Sequence, residues 1–486
     1  MPRTGERRGA GAVIGMALLV LLMVGVEVLA LKKGGTVGII VIAALGVIAL
    51  ILLVVGFNLS RLAMGVTYVA AGTLTWNGWF VGPLRPGDVL VLLALMLFAL
   101  SYDGGTVPRL PVWVVQVAFV IAFVAAFHAF FQEGAQYLGS RTVLAGNGRI
   151  TNSTKGSVLT ANLAIAFKFI VAVAAIPFTF AWAELRKAGS YLLLAKFFGV
   201  GAAISGWVAL LERIGIPNID LVLTKKSGPG QPRQLGLSNH PNFLAASLVL
   251  GLPIAMWLVV SGGNKLWRWI GVLSVIGCVG GIFASGSRGG AVCIVGAFVV
   301  SLFLIPGLRK YIPTVFIGGL ASVAVIFLYL PHLGHTILKA TRLVGNSSST
   351  AGSDLARSIV ARQAWIDINH SPIWGIGLQV SAEAQNVYLQ ELASGGVILF
   401  SGMLIYNLGA LMTGLRFYKV DGGLGAALAG SIVGTLALNF FEADLTDRFY
   451  YVPVGLIIAM AVAHRADSHD VDEHDLSHMP TRAGHT

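Results

Sequence analysis

The chain carries little charge, and that shortage limits the classes it can belong to. Asp, Glu, Lys and Arg make up 11% of its 486 residues, whereas a soluble domain carries about 25%. Hydrophobic residues make up 56%, and the mean hydropathy is +0.81. Such a chain lacks the charged surface of a soluble protein, so its composition predicts a polytopic membrane protein.

Cysteine and cofactor motifs are nearly absent. The two cysteines, Cys278 and Cys293, lie in apolar segments, so we expect small core residues rather than a disulfide or a thiolate metal site. Neither a P-loop nor a dinucleotide-binding fingerprint occurs, which argues against direct use of a nucleotide. The predicted outer loops contain no Asp-x-Asp pair. We therefore expect no metal site and no cofactor.

The net charge of +12 is spread over short connections and forms no long basic run. Binding to nucleic acid needs a clustered basic patch. Scattered Lys and Arg at the ends of apolar segments instead suit anionic lipid headgroups and set the orientation of a membrane protein. The charge pattern therefore predicts membrane lipids as partners and no nucleic acid.

Apolar segments recur along most of the chain. Because a span needs about 20 apolar residues, residues 1–463 are expected to form a single all-α membrane domain with about 12–14 transmembrane helices. The segments are near 11–31, 36–56, 62–82, 87–102, 111–131, 157–183, 190–212, 243–261, 267–285, 289–306, 313–330, 387–414, 423–441 and 449–464. The polar tail, 465–486, is rich in His and Asp and is expected to be disordered and cytoplasmic.

Basic residues between the segments predict the orientation. With the N-terminus inside, every predicted inner connection carries a Lys or Arg, as the positive-inside rule requires. Lys32 and Lys33 run against this assignment. The C-terminus then also lies inside, and the outer face receives three long loops, at 132–156, 213–242 and 331–386, of which the last precedes the third-last helix.

Two short polar motifs fall on the predicted outer face. The first runs from Arg233 to Asn242, where Pro241 suits the first turn of a helix whose free amides can bind an anion; an ordinary capped helix start is the other interpretation. The second places Arg288 between Ser287 and Gly289. A charge at membrane depth is costly and is usually functional or paired, although an arginine that reaches the headgroups is the alternative.

A third polar motif lies in the outer loop 331–386. Arg357 and Arg362 are spaced so that they would not share one face of a helix well, and one of them is expected to pair with Asp354 or Asp367. The tryptophans of this loop, Trp365 and Trp374, are typical of interfacial anchors or of platforms that stack on a sugar ring.

Four arginines, Arg233, Arg288, Arg357 and Arg362, would make a phosphate site if they converge. The planar guanidinium is permanently charged and pairs bidentately with phosphate. At the depth of the headgroups, the natural anionic ligand is a diphosphate linked to a lipid. Arginines would also stabilise such a diphosphate as a leaving group.

These motifs together resemble the O-antigen ligase and polymerase family. The blocks that carry the resemblance span roughly residues 210–400: Arg233…Gly236…His240-Pro-Asn242, Ser285-Gly-Ser-Arg288-Gly289, and Arg357…Trp365…Pro372…Gly375-Ile-Gly377…Asn386-x-Tyr388-Leu-Gln390. The resemblance implies a GT-C-like membrane glycosyltransferase of the bacterial inner membrane. Its donor would be a polyprenyl-diphosphate-linked oligosaccharide and its acceptor a glycan or a lipid-linked glycan, without metal or nucleotide.

The resemblance also implies roles for single residues. Arg233 and Arg288, with Arg357 or Arg362, would hold the diphosphate, and the glycan or acceptor would contact Asn242, Trp365, Gln385, Asn386 and Tyr388. Ligases typically carry a histidine where this chain has Gln385, and an amide cannot take up a proton at neutral pH. That departure favours a polymerase over a ligase. His240 and Glu391 are the candidate bases, and a mechanism with little base assistance is the third option.

Two other classes are weaker fits. A transporter or flippase of lipid-linked glycans typically has functional charges near the midplane and paired halves, whereas here the polar motifs fall on one predicted face. A structural scaffold does not explain Arg288 or the long outer loop. The sequence therefore favours an enzyme.

Overall fold

The computed structural model describes residues 59–78, 85–102, 104, 106–131, 143–144, 150–151, 158–216, 233–329, 348–378, 385–442 and 445–477. The predicted spans at 11–31 and 36–56 lie outside the described residues, as do parts of all three predicted outer loops. The total of 12–14 transmembrane helices therefore stays a prediction.

The described residues are overwhelmingly α-helical, as the sequence predicts. The helices are α1 (Leu59–Thr73), α2 (Pro86–Leu100), α3 (Val112–Phe131), α4 (Val158–Ile170), α5 (Ile176–Arg186), α6 (Ser190–Arg213), α7 (Pro241–Ser261), α8 (Lys265–Ser285), α9 (Arg288–Leu304), α10 (Ile312–Tyr329), α11 (Ser348–His370), α12 (Val387–Arg416), α13 (Leu424–Leu438) and α14 (Val452–Ser477).

Short elements join these helices. A π-helical turn, Val171–Ala175, makes α4 and α5 continuous, and 3-10 turns lie at Pro306–Tyr311, Val420–Gly422 and Arg448–Tyr451. Two short antiparallel strands, β1 (Val143–Leu144) and β2 (Ile150–Thr151), pair with each other.

Six helices in the described part of the chain are long and apolar enough to cross a membrane, and a seventh is added if one bent pair counts as a span. The six are Val112–Phe131, Asn162–Arg186, Ser190–Arg213, Pro241–Ser261, Lys265–Ser285 and Val387–Arg416. Helices α2 and α13 are apolar but shorter. The predicted span at 62–82 is shorter too, because α1 ends at Thr73. The chain is a multi-pass membrane protein.

The bent pair falls on two of the predicted segments. Segments 289–306 and 313–330 were expected to be two separate spans, and in the structure α9 and the helical stretch Pro306–Ser322 meet at 102° across a short break. Ile305 is extended and Pro306 begins the 3-10 turn. The residue before a proline is driven out of the helical region, and the proline has no amide to continue the helix, so the chain turns sharply here.

Helix α7 is the centre of the bundle. The share of its apolar window that is buried is 83%, against 33% for α3 and α8, and α6, α8, α9 and α13 pack around it. A helix that is apolar on every face is expected to be buried. The Oγ of Ser431 on α13 donates a hydrogen bond of 2.8 Å to the carbonyl of Leu250 on α7, which links two central helices.

Helix α11, within the predicted outer loop, packs on α12 through one side. Its residues Ala364 and Ile368 are buried against Ala393 of α12, while Leu355 and Trp365 are exposed. Apolar side chains spaced by four residues make one packing face. This packing fixes the exposed face of α11 relative to the start of α12.

The last helix extends further than the sequence analysis allowed. Residues 465–486 were expected to be disordered, but α14 continues to Ser477, and residues 478–486 lie outside the described part. Extending an existing helix costs far less than nucleating one, so the polar residues that follow the apolar part of α14 can continue it.

Candidate functional site

Arg233 joins the start of α7 to the end of α8. Its Nε donates a hydrogen bond of 3.1 Å to the carbonyl of Ser285, and its Nη2 donates one of 2.5 Å to Oδ1 of Asn242. The backbone amide of Gln234 donates to the carbonyl of Ala284 at 3.0 Å. The first two polar motifs of the sequence, far apart along the chain, therefore lie in contact.

A buried polar chain fixes the segment between Arg233 and α7. The amide of Leu237 donates to Oγ of Ser205 at 3.0 Å, and Oγ of Ser238 donates to Oδ1 of Asn77. The Nδ2 of Asn77 in turn donates to Oδ2 of Asp447 at 3.3 Å. The segment is thereby attached to α6, to the residues after α1 and to the residues before α14.

Two ion pairs continue this polar chain from Asp447. Arg85, the N-cap of α2, pairs with Asp447, and Arg448 donates a hydrogen bond of 2.5 Å from Nε to Oδ1 of Asp88. Three of the four side chains are buried, with Arg85 slightly more open. Charges removed from water need a partner of opposite sign, so these pairs join the start of α2 rigidly to the 3-10 turn before α14.

His240 is the N-cap of α7, and the backbone amide of Asn242 donates to its Nδ1 at 3.3 Å. Loss of solvent around the ring, followed by the charges of Arg233 and Arg357, lowers the pKa of His240 to about 4. The imidazole is thus neutral at pH 7, and since Nδ1 accepts a hydrogen bond, the ring proton resides on Nε2. With this low pKa and with Nδ1 already accepting a hydrogen bond, His240 is better suited to donate a hydrogen bond from Nε2 than to act as the predicted base.

Arg288 is the first residue of α9, directly after a tight turn. Gly286 ends α8 in the left-handed conformation, with φ +58°, and Oγ of Ser287 accepts the amide of Gly290 at 3.2 Å. Left-handed backbone is open to glycine without strain. The turn therefore presents the half-buried side chain of Arg288, which forms an ion pair with Asp354 of α11.

This pair was not among the expectations from the sequence. One of Arg357 and Arg362 was expected to pair with Asp354 or Asp367, and the structure places Arg288 against Asp354. The Nε of Arg357 donates to Oε1 of Gln385 at 2.7 Å. Arg357 is also close enough for its charge to lower the pKa of His240.

Arg362 lies apart from this arrangement. It is exposed on α11, and the spacing of the two arginines places it about 140° around the helix from Arg357. The structure thus brings three of the four predicted arginines, Arg233, Arg288 and Arg357, to one region. The fourth, Arg362, lies on the exposed side of α11.

The residues at the start of α12 have mainly local roles. Gln385 has a positive φ of +50°, and Oδ1 of Asn386 caps the helix by accepting the amide of Leu389 at 3.1 Å. The hydroxyl of Tyr388 donates to the carbonyl of Leu436 at 2.8 Å, and its ring packs on Phe440. Tyr388 is one of the predicted acceptor contacts. In the structure its hydroxyl is used to pack α12 against α13.

Glu391 is 1% exposed and lines a small, partly open cavity. Its Oε1 has no hydrogen-bond partner among the described residues. The cavity is about 10 Å³, close to the minimum for one water molecule, and polar residues of its wall include Asn407, Thr435 and Asn439. An acceptor glycan does not fit into this space, so the structure does not support Glu391 as its base.

The two tryptophans of the outer loop differ in their surroundings. Trp365 is 53% exposed on α11. Trp374 stacks on Phe127 of α3, with ring centres 4.7 Å apart, and its carbonyl lies 2.9 Å from Nε2 of His128. Trp374 therefore anchors the loop to α3, and Trp365 has an indole face available to a ligand.

Sequence reasoning missed the partners that position these residues. Asn77 and Asp447 belong to no motif that was singled out, and Ser238 lies in the motif from Arg233 to Asn242 but was given no role. A signal did exist, since Asp447 and Arg448 are adjacent charges in the short connection between two apolar segments, and charges at membrane depth are normally paired.

Comparison with known proteins supports the resemblance. Residues 272–404 match a family model described as O-antigen ligase. No curated protein matches the chain. The matched segment contains Arg288, Arg357 and Gln385 but not Arg233 or His240. The predicted likeness to the O-antigen ligase family is confirmed over this segment, and it supports a membrane enzyme of the ligase or polymerase type.

Proposed function

From the match of residues 272–404 to the O-antigen ligase family, we propose that the protein transfers an oligosaccharide from a polyprenyl-diphosphate donor to a hydroxyl group of a glycan. The observation that carries the proposal is the meeting of Arg233, Arg288 and Arg357 near the starts of α7 and α9. Arg233 contacts Ser285, a few residues before Arg288, and Arg357 follows the partner of Arg288 by one helical turn.

This region has the electrostatics that a diphosphate needs. The N-termini of α7 and α9 contribute the positive ends of two helix dipoles, and the arginines add permanent charges that pair bidentately with phosphate oxygens. Burial lowers the pKa of His240, and the charges of Arg233 and Arg357 lower it further. An anion of two or more charges is the ligand that such a field favours.

In the proposed reaction, the acceptor hydroxyl oxygen forms a bond to the anomeric carbon of the donor sugar. The bond from that carbon to the diphosphate oxygen breaks, and its electron pair leaves with the diphosphate. The arginines stabilise the charge that develops on this leaving group. The hydroxyl proton is released to solvent, because His240 is a weak base at its lowered pKa and Glu391 is enclosed.

The exposed face of α11 is suited to the sugars. Trp365 follows Asp354 by about three turns, which places it roughly 16 Å along the helix and 20° around it. An exposed indole offers a flat apolar face beside a polar edge, as a sugar ring requires. We therefore place the glycan along α11, starting at the arginines and passing Arg362 on the way to Trp365.

The acceptor is proposed to be a second lipid-linked glycan, which would make the protein a polymerase. Gln385, at the position where ligases typically carry histidine, binds Arg357 and cannot take a proton. The site would face the outer side of a bacterial inner membrane, with both termini in the cytoplasm, and would work without metal or nucleotide.

Reconstitution tests this function. The purified protein in vesicles would receive a synthetic polyprenyl-diphosphate oligosaccharide as its sole sugar substrate, with chelator and without nucleotide, and the products would be sized. A ladder of lengthened lipid-linked glycans is expected. Transfer only after addition of a different glycan, lipid or protein acceptor would mean a ligase, and movement of the donor between leaflets without transfer would mean a flippase.

Two arginine variants connect that assay to the site. Arg288→Ala is expected to abolish the ladder at normal protein level. Arg309→Ala is the control, since Arg309 is exposed and its Nε donates only to the nearby carbonyl of Phe303. Full activity of Arg288→Ala would overturn the diphosphate site.

A further inference from the structure

The guanidinium of Arg288 already binds an anionic group of the protein itself, the carboxylate of Asp354. Its Nη2 pairs with Oδ1 of Asp354, and its Nη1 donates to Oδ2 of the same carboxylate at 3.3 Å. Two parallel hydrogen bonds to two oxygens are the arrangement that a guanidinium also makes with phosphate. The carboxylate of Asp354 thus takes the place in which a phosphate would bind.

We propose that Asp354 is an internal competitor for the diphosphate: it occupies Arg288 in the empty site, yields to the donor, and returns to help expel the polyprenyl diphosphate after transfer. The inference rests on the proposed function, because it requires Arg288 to bind the diphosphate.

The exposure of the pair makes an exchange feasible. The side chain of Arg288 is 28% exposed and that of Asp354 is 50% exposed, so water reaches both partners. Exposed ion pairs contribute little net stability, and a carboxylate brings one charge where a diphosphate brings at least two. The donor can therefore displace Asp354 without unfolding any element of the site.

The displaced carboxylate has a second cation within reach. Arg357 lies three residues further along α11, the spacing at which helical side chains are neighbours. Its hydrogen bond to Gln385 is made by Nε and not by the two terminal nitrogens. Asp354 can thus move from Arg288 to Arg357 and back during one catalytic cycle. After transfer, the same carboxylate competes with the leaving diphosphate for Arg288, which favours product release.

A pure positioning role gives the opposite sign in a binding experiment. If Asp354 only orients Arg288 for the donor, its removal loosens the arginine and weakens binding of a diphosphate. If Asp354 competes for Arg288, its removal strengthens that binding. The sign of the change therefore separates the two roles.

The experiment titrates the full-length protein in detergent with inorganic pyrophosphate. Asp354→Asn is expected to bind pyrophosphate about two- to fivefold more tightly than the wild type, the range of a weak ion pair, and to show a lower KM for the donor with a lower kcat. Asp354→Glu keeps the charge and should restore wild-type affinity. Unchanged or weaker binding by Asp354→Asn would overturn the proposal.

A double variant distinguishes direct competition from a general loss of negative charge. In an Arg288→Ala background, Asp354→Asn should no longer change pyrophosphate affinity, because the contested cation is gone. A persisting gain would show that Asp354 acts only through the overall field and would overturn the inference. Asp470→Asn, which removes one carboxylate from α14, should leave the affinity unchanged.

Failure of the proposed function looks different. If Arg288→Ala alone leaves pyrophosphate affinity unchanged, Arg288 does not bind the diphosphate and the site itself is wrong. If Arg288→Ala weakens binding but Asp354→Asn does not strengthen it, the site stands and only the competitor role of Asp354 falls.

Discussion

The Nε of Arg357 donates a hydrogen bond of 2.7 Å to Oε1 of Gln385, which joins α11 to the residue just before the cap of α12. The amide oxygen of Gln385 thus accepts a hydrogen bond from the charged guanidinium of Arg357. Gln385 therefore acts here on the position of Arg357 rather than on the proton of an acceptor hydroxyl. Its role depends on geometry, so it should tolerate substitution better than an arginine that binds the diphosphate directly.

Gln385→Ala should consequently be milder than Arg288→Ala. Loss of the Gln385 amide leaves Arg357 charged and in place on α11, and we expect a fall in initial rate of about tenfold, whereas removal of a group that stabilises the leaving charge costs on the order of 10²–10³-fold. Rates of glycan lengthening in vesicles measure both. An equal or larger loss for Gln385→Ala would give Gln385 a direct part in the reaction.

Glu391→Gln should retain activity within about threefold, because loss of a true general base costs on the order of 10²–10⁴-fold. The amide has the same shape as the carboxyl group, so the variant preserves the packing around the small cavity. Initial rates across several acceptor concentrations provide the test. A loss of a hundredfold or more, with a normal melting temperature, would return Glu391 to the reaction.

Asp447→Ala should be far more damaging to stability than Asp354→Ala. Asp447 is 0% exposed and pairs with Arg85, and breaking a buried pair leaves an uncompensated charge at a cost of about 3–5 kcal/mol. The exposed pair of Asp354 contributes roughly 0–1 kcal/mol. Thermal melting of the purified proteins compares them, and equal melting temperatures would show that Arg85 finds another partner.

The sequence predicted much of the fold because bilayer-length apolar runs are a strong signal. The starts of α7, α9 and α12 match the predicted segments within a few residues. Motifs at those starts also indicated Arg233, Arg288 and Arg357. Single-residue signals fared worse: the pairing of Arg288 with Asp354 depends on how distant elements pack, which spacing along one helix does not reveal.

The sequence could not decide between the candidate catalytic bases for a similar reason. His240 and Glu391 have suitable chemistry as residue types, but their surroundings decide their use. The structure encloses Glu391 and places His240 between a backbone amide and two arginines. Neither environment is visible in a motif.

Two glycines, one on each side of the contact, explain how closely the turn around Trp374 packs on α12. Gly396 interrupts α12 with φ +63°, and a Cβ there would lie 2.1 Å from the carbonyl oxygen of Ile373. Gly375 has φ +71°, and a Cβ there would lie 2.3 Å from the carbonyl carbon of Ser394. Both positions therefore require glycine, for backbone conformation and for space.

Gly396→Ala should accordingly destabilise the protein, by separating the Trp374 turn from α12. Gly352→Ala is the matched control, because a Cβ at that position of α11 meets no atom of the described residues within 4 Å and alanine favours a helix by about 1 kcal/mol over glycine. We expect a lower melting temperature for the first variant and an unchanged or higher one for the second. Equal effects would mean that the break in α12 can relax.

His240 should make the protein sensitive to acid. The pKa of His240 is about 4 in the folded protein, whereas an unfolded histidine titrates near a pKa of about 6.5. Between these values the unfolded chain binds more protons than the folded one, so stability that is present above pH 6.5 is lost as the pH falls toward 4.

His240→Asn tests that sensitivity and the catalytic role together. Asparagine is a good N-cap and does not titrate, so the variant should lose less thermal stability than the wild type between pH 7 and pH 5. Its activity at pH 7 should stay within about tenfold of the wild type, since an imidazole with a pKa of about 4, whose Nδ1 already accepts a hydrogen bond, contributes little as a base. Unchanged acid sensitivity would contradict the lowered pKa, and a drop of several hundredfold would establish His240 as the base.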